Sequence, residues 1–177
     1  MGAGKSSVGR ALGRRLNWIF EDLDDRIEQR EGRRIPEIFR DSGESEFRRV
    51  EHEALRDLLS EVPASGRVVA LGGGAFVESR NARLLTLSAL PTIFLDAPVE
   101  ELWERCLKQA EQASADRPLL GSRTQFRTLY QARRKGYAKA SMMISTSHRE
   151  IENIAAEIVE TLGLNPIAIR IEEGEVE

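Results

Sequence analysis

The amino-acid sequence predicts an α/β fold, a three-layer α/β/α arrangement around a mostly parallel sheet, and three observations carry that prediction. Short apolar runs recur along the chain, at Trp18-Ile19-Phe20, Arg67–Leu71, Pro91–Ala97 and Met142–Ser145. Segments with apolar residues three and four apart lie between them. Glycine or acidic clusters directly follow the first two runs. Strands that alternate with amphipathic helices in this way build a parallel sheet covered by helices.

Each element has its own signal. Val8, Ala11, Leu12 and Leu16 mark a first helix behind Gly2–Ser7. Trp18-Ile19-Phe20 reads as a short strand ending in Glu21-Asp22-Leu23-Asp24-Asp25. A helix over about 24–31 stops at Gly32, a C-terminal cap. Pro36 suits the first turn of another short helix, which Gly43 ends. Phe47, Val50, Ala54, Leu55 and Leu58 mark a longer helix to about Ser60. Arg67–Leu71 is a buried strand that runs into Gly72-Gly73-Gly74, and Pro91–Ala97 is another. Pro98 opens a helix bearing Val99, Leu102, Trp103, Cys106 and Leu107. Residues 109–117 have the small, polar composition of a mobile loop. A helix over about 124–135 leads to the last strand, Met142–Ser145. Ile151, Ile154, Ile158 and Leu162 mark the closing helix, ended by Gly163. Residues 164–177 form an acidic tail, with alternating Ile167, Ile169 and Ile171 before four glutamates.

Composition bounds the function. The chain has 177 residues, 41% hydrophobic and 31% charged, enough for one domain with a core and a solvated surface. The net charge of −3 argues against a nucleic-acid binder, which neutralises phosphates with excess Lys and Arg. A single cysteine, Cys106, forms no internal disulfide. No apolar run approaches the ~20 residues of a membrane span, and no leader pattern is present. The expectation is a cytoplasmic protein without a membrane partner. His52 and His148 stand apart from other ligand types, which argues against zinc. Trp18, Trp103 and Cys106 lie in apolar patterns and read as core.

Four clusters carry chemistry. Gly4-Lys5-Ser6 has the form of the end of a phosphate-binding loop. Glycines there turn backbone N–H groups towards phosphate oxygens, and the following helix adds its positive end. Lys5 would reach the terminal phosphates, and Ser6 would ligate Mg2+. Asp22 and Asp24 are two residues apart at a strand end, so both carboxylates can face one site. One suits a hydrated Mg2+; the other can accept a hydrogen bond from a substrate hydroxyl. Either can equally cap the next helix. Gly72-Gly73-Gly74 lies at a strand C-terminus, where open α/β sheets bind ligands. Arg48 and Arg49 near the acidic pair suit a carboxylate-bearing substrate, although a solvated helix face explains either arginine alone. Arg117, before Pro118, has the position of a lid arginine.

Together and in order, these motifs resemble the shikimate kinase family of small phosphate-binding-loop kinases. The resemblance spans residues 1 to about 162 and rests on Gly2-Ala3-Gly4-Lys5-Ser6-Ser7, Asp22-Leu23-Asp24-Asp25 and Ile35-Pro36-Glu37-Ile38-Phe39. Glu46-Phe47-Arg48-Arg49-Val50-Glu51, Leu71-Gly72-Gly73-Gly74-Ala75, Asp116-Arg117-Pro118-Leu119-Leu120 and Arg133…Tyr137 complete it. It implies transfer of the ATP γ-phosphoryl group to the 3-hydroxyl of shikimate by a monomer with Mg2+ as cofactor. It also implies roles. Gly2, Ala3, Gly4, Lys5, Ser6 and Ser7 would hold ATP phosphates; Ser6 and Asp22 would hold Mg2+. Asp24 would align the attacking hydroxyl or take its proton. Arg48 and Arg133 would clamp the shikimate carboxylate, and Gly72, Gly73 and Gly74 would contact the ring hydroxyls. Arg117 would bridge nucleotide and transition state from a lid at about 108–124, and Arg149 would pack near adenine.

The sequence departs from the family in four places, one of them a lid stretch that is long and rich in Ala and Gln. Arg133-Arg134-Lys135-Gly136-Tyr137 lacks the proline and leucine of the usual Arg-x-Pro-Leu-Tyr, which leaves Arg133 and Arg134 both open as the clamp. Ser145-Thr146 replaces the common Asp-Thr. Family members carry a first strand and a first loop glycine ahead of the position of Met1, so the expected domain, 1–163, lacks its central strand. Two other readings compete: another small-molecule kinase such as a gluconate kinase, and a binding module without turnover.

Overall fold

The computed structural model describes residues 2–61, 66–113 and 122–166. The chain runs α1 (Lys5–Leu16), β1 (Ile19–Asp22), α2 (Leu23–Glu31), α3 (Ile35–Ser60), β2 (Arg67–Ala70), α4 (Ser79–Ser88), β3 (Ile93–Asp96), α5 (Val99–Ala113), α6 (Arg123–Tyr137), β4 (Met142–Ser145) and α7 (Ile151–Thr161). β1 pairs in parallel with β2, Ile19 opposite Arg67 and Asp22 opposite Ala70. β3 pairs in parallel with β4, Ile93 opposite Met142 and Asp96 opposite Ser145.

These two pairs are separate two-stranded sheets. Between them lies an apolar cavity of about 510 Å³, bordered by Val68 and Ala70 of β2, Ile93 and Leu95 of β3, and Ala3 and Leu12. Among the described residues, no strand pairing links β2 to β3 across this cavity. Within those residues, β2 and β3 each keep one edge without a strand partner.

The core forms on two sides of this gap. Leu12 and Leu16 of α1, Leu102 of α5, Phe126 of α6 and Ile154 and Ile158 of α7 pack with Leu95 and Ile144. Leu23, Ile27, Ile38, Phe47, Val50 and Leu55 form the second cluster with Leu85 of α4. Leu23, Ile27 and Ile38 are fully enclosed, and each such side chain contributes roughly 1.5–3 kcal/mol by leaving water.

Several boundaries differ from expectation for physical reasons. α2 begins at Leu23, so Asp24 lies in its first turn instead of on the strand. The break expected at Gly43 is present: two helical segments meet there within the span Ile35–Ser60, and Gly43 itself is non-helical (φ 79°, ψ 175°). α5 continues to Ala113, because the small, polar residues from Gln109 onward include good helix formers. α4 is an added helix; Leu87 on it is 72% exposed, which blurs its apolar stripe. Cys106 is buried as expected, whereas Trp18 and Trp103 are only partly enclosed against the core. The tail beyond Pro166 lies outside the described residues.

Candidate active site

The site begins where α1 starts. Gly4 adopts φ 82°, a left-handed conformation that suits glycine, and its carbonyl accepts the first helical bond from Val8 N–H at 2.9 Å. No side chain caps α1, and its first turn carries no acid. The leading N–H groups and the positive helix end are therefore left for an anion. Lys5 and Ser6 are the first two residues of this helix, with Gly2 and Ala3 in the loop before them. Ser7 is exposed one position further on.

Ser6 reaches across to β1. Its hydroxyl donates to Asp22 Oδ2 at 2.8 Å. The other carboxylate oxygen of Asp22 accepts from Asp24 N–H at 3.1 Å and caps α2. Asp22 thus fills the capping role open to it from sequence, while its second oxygen faces Ser6. The strand-to-helix turn, not strand alternation, brings Asp22 and Asp24 together.

Asp24 is set against the glycine loop. A Cβ on Gly72 would lie 2.6 Å from Asp24 Oδ1. A Cβ on Gly74 would lie 2.7 Å from Arg48 Nη1. The glycines after β2 therefore make room for two side chains as well as for any ligand. Burial raises the Asp24 carboxyl, the charge of Asp22 raises it further, and Lys5 draws it down; it comes to about 6, against 3.8 for an ordinary aspartate. That makes Asp24 a better proton acceptor at neutral pH than a solvated carboxylate, since catalytic bases work best near the operating pH.

Arg48 is held from behind. Its Nη1 donates to Glu51 Oε2 at 2.8 Å, and Glu51 is 1% exposed. Glu44 takes the other terminal nitrogen, at 3.1 Å. Burial pushes the Glu51 carboxyl up, opposed by Arg48 and, at longer range, by Arg133. Arg133 also hydrogen-bonds Tyr137, whose hydroxyl donates to the Gly73 carbonyl. Arg134 faces the other way, pairing with Asp96 Oδ2 at 2.9 Å beside Tyr130, which also donates to Asp96. Of the two arginines left open by sequence, Arg133 is the one turned towards Arg48, Glu51 and the glycine loop.

Two predicted residues remain, Arg117 and Arg149. Arg117 lies outside the described residues. Arg149 follows β4, as expected, where it donates to the Ser145 carbonyl at 3.2 Å and pairs with Glu157 of α7. Nearby, Arg105 of α5 binds the buried Thr146 through both hydroxyl and carbonyl, at 2.9 and 2.8 Å. Sequence reasoning assigned no role to Arg105, Tyr137 or Glu51, although Glu51 and Tyr137 close two of the quoted motifs. Glu51 left a spacing signal as well, three residues from Arg48 on a helix.

No group of three or more His, Cys, Asp or Glu side chains able to hold a metal forms among the described residues. The Ser6–Asp22 pair still fits Mg2+, a hard cation that takes one or two protein oxygens and leaves its other positions to water and phosphate. No described helix is long and apolar enough to cross a membrane.

Comparison with known proteins agrees with this geometry. The family model for shikimate kinase matches residues 1–163. A shikimate kinase of Thermus thermophilus is 41% identical over 165 residues, covering 92% of this chain and 85% of its own. One of Persephonella marina is 38% identical, covering 90% and 92%. Among solved structures, a shikimate kinase from Acinetobacter baumannii in complex with shikimate superposes with a TM-score of 0.80 at 32% identity, over 92% of this chain and 88% of that one. A gluconokinase from Sinorhizobium meliloti reaches a TM-score of 0.55 at 20% identity over 92% and 91%, which shows a shared fold alone. The chain belongs to the shikimate kinase family, enzymes that phosphorylate shikimate at the expense of ATP.

Proposed function

We propose that this chain moves the γ-phosphoryl group of ATP to the 3-hydroxyl of shikimate, with Asp24 and Arg48 as the two groups that seat the acceptor. The observation that carries this assignment is their shared support: both side chains close on the glycine loop after β2, at Gly72 and Gly74. A carboxylate to handle a hydroxyl and a guanidinium to bind a carboxylate, side by side, suit a small hydroxy acid.

In this reading the hydroxyl oxygen bonds to the γ-phosphorus as the bond to the β,γ-bridging oxygen breaks, and ADP leaves. Asp24 accepts the hydroxyl proton and later releases it to solvent. Lys5 and the N–H groups of Gly2, Ala3, Gly4, Ser6 and Ser7 hold the phosphates, stabilising charge without covalent work. Ser6 and Asp22 hold Mg2+, which when bound neutralises phosphate charge. Arg48 and Arg133 orient the substrate carboxylate while Gly72, Gly73 and Gly74 border its ring. Arg117 serves the transferring group from a lid around 108–124, and Arg149 the adenine side. In this reading the functional unit is residues 1–163, acting as a monomer in the cytoplasm with every group named on one chain.

A coupled ADP-release assay over a panel of hydroxy acids tests the reading. Turnover with shikimate and none with gluconate is expected. Turnover with gluconate and none with shikimate overturns it. Calorimetric binding of shikimate without any ADP release points instead to a binding module.

A further inference from the structure

Three polar or charged side chains are buried among the described residues: Glu51, Thr146 and Asn81. Glu51 holds Arg48, and Thr146 holds Arg105. Asn81 is on α4, outside every motif discussed above, and is fully enclosed. A buried amide costs stability unless both its ends are satisfied.

Both ends are. Asn81 Nδ2 approaches Glu51 Oε2 at 3.5 Å, the same oxygen that accepts from Arg48 at 2.8 Å. Asn81 Oδ1 lies 2.9 Å from Nδ1 of the half-buried His52. The direction of this chain follows from the chemistry of its members. Glu51, paired with Arg48, offers only acceptors, so the amide must turn its NH2 towards it. Its oxygen then faces His52, whose Nδ1 must carry a proton. A flipped amide would set oxygen against oxygen at Glu51. His52 thus fixes the amide, the amide restrains the carboxylate, and the carboxylate sets the guanidinium against Gly74.

We propose that Asn81, oriented by His52, is a positioning residue for Arg48 and so tunes recognition of the substrate carboxylate. It touches no substrate and acts only through Glu51. The proposal rests on the reading of Arg48 as the carboxylate clamp.

Steady-state kinetics of the full chain test it. Asn81→Leu keeps the side-chain size and removes the amide. Its shikimate KM is expected to rise ~3–10-fold, in keeping with loss of one long hydrogen bond to a charged group, while the KM for ATP stays within about twofold. In an Arg48→Ala background the same change should add nothing. His52→Ala should raise the shikimate KM in the same direction, and His52→Gln, which can still donate to Asn81 Oδ1, should restore it. Because His52 is half-buried, this second pair remains readable if Asn81→Leu does not fold.

The outcomes separate the two ideas. If Arg48→Ala leaves the shikimate KM unchanged, the clamp reading falls and the proposal falls with it. If Arg48→Ala raises that KM, but Asn81→Leu and His52→Ala leave it alone, only the positioning role is overturned. Equal KM effects of Asn81→Leu with and without Arg48 also overturn it, since they mark a general packing defect.

Discussion

Ser6 Oγ and Asp22 Oδ2 meet at 2.8 Å, from helix α1 and strand β1, sixteen residues apart in the chain. The contact joins the phosphate loop to the acidic turn. It also lets the cap made by Asp22 and the metal-binding role proposed for it be separated by mutation. Asparagine caps helices about as well as aspartate, yet carries no charge for a cation. Asp22→Asn should therefore leave the thermal midpoint nearly unchanged. It should raise the Mg2+ concentration giving half-maximal activity by about tenfold or more. A Mg2+ titration of the variant checks this, and an unaltered curve would remove Asp22 from the metal site.

Asp24 gives a pH prediction with a definite sign. Its carboxyl titrates at about 6 in the folded chain, chiefly because it is buried. The ionised form is the one that accepts a proton, so kcat/KM for shikimate should fall on the acid side with an apparent pKa near 6. Asp24→Asn should abolish turnover and the acid limb with it. Stability should move oppositely. The native carboxyl binds its proton more tightly than the unfolded one, so ionisation weakens the fold as pH rises through about 6. The neutral amide of Asp24→Asn imitates the protonated carboxyl. The variant should gain up to about 3 kcal/mol at pH 7–8, and the gain should vanish below the unfolded carboxyl's own range, near pH 4. Denaturant melts at the two pH values measure it, and a variant less stable at pH 8 than the parent would refute the burial argument.

The glycine loop was legible in the sequence only in part. Three consecutive glycines at the end of an apolar run announced the close approach of a ligand, but not of the chain's own side chains. The approaching atoms belong to Asp24 and Arg48, which enter from α2 and α3. Local patterns placed Lys5 and Ser6 at a helix start and found the caps, because glycine spacing and helix starts are local matters. Glu51 looked like one more acid on a solvated helix, and its burial depends on α4 packing against α3. Arg133 and Arg134 were inseparable by position, because a turn of about 100° between adjacent helical residues sends one to Tyr137 and the other to Asp96.

The same loop predicts two different defects from two equally small substitutions. In Gly72→Ala the new methyl would stand 2.6 Å from Asp24 Oδ1, and Asp24 must move. In Gly74→Ala it would stand 2.7 Å from Arg48 Nη1, and the guanidinium must move. The first should lower kcat by roughly a hundredfold, as displacement of a reacting group by about 1 Å does. The second should act mainly on the KM for shikimate. Full kinetics of both variants check the split, and matching defects would mean that the loop moves as a unit.

The gap between β2 and β3 makes the last prediction. Its walls are apolar side chains such as Val68, Ala70, Ile93 and Leu95, and among the described residues both bordering strands have an edge without a strand partner there. The about 510 Å³ of space ends at Ala3 and Lys5, beside the phosphate loop. An apolar, β-branched strand of about five residues joined ahead of Gly2 has the length to lie along both edges. It would bury its own side chains, pair two exposed edges and anchor the loop that holds Gly4 at φ 82°. Fused to the chain, such a strand should raise the thermal midpoint by about 5 °C or more and suppress binding of a dye that reports exposed apolar surface. Phosphate-loop function should improve in step, seen as a lower KM for ATP. A fusion that leaves the midpoint and dye binding unchanged would mean that helix α1 and the two strand pairs close the gap on their own in solution.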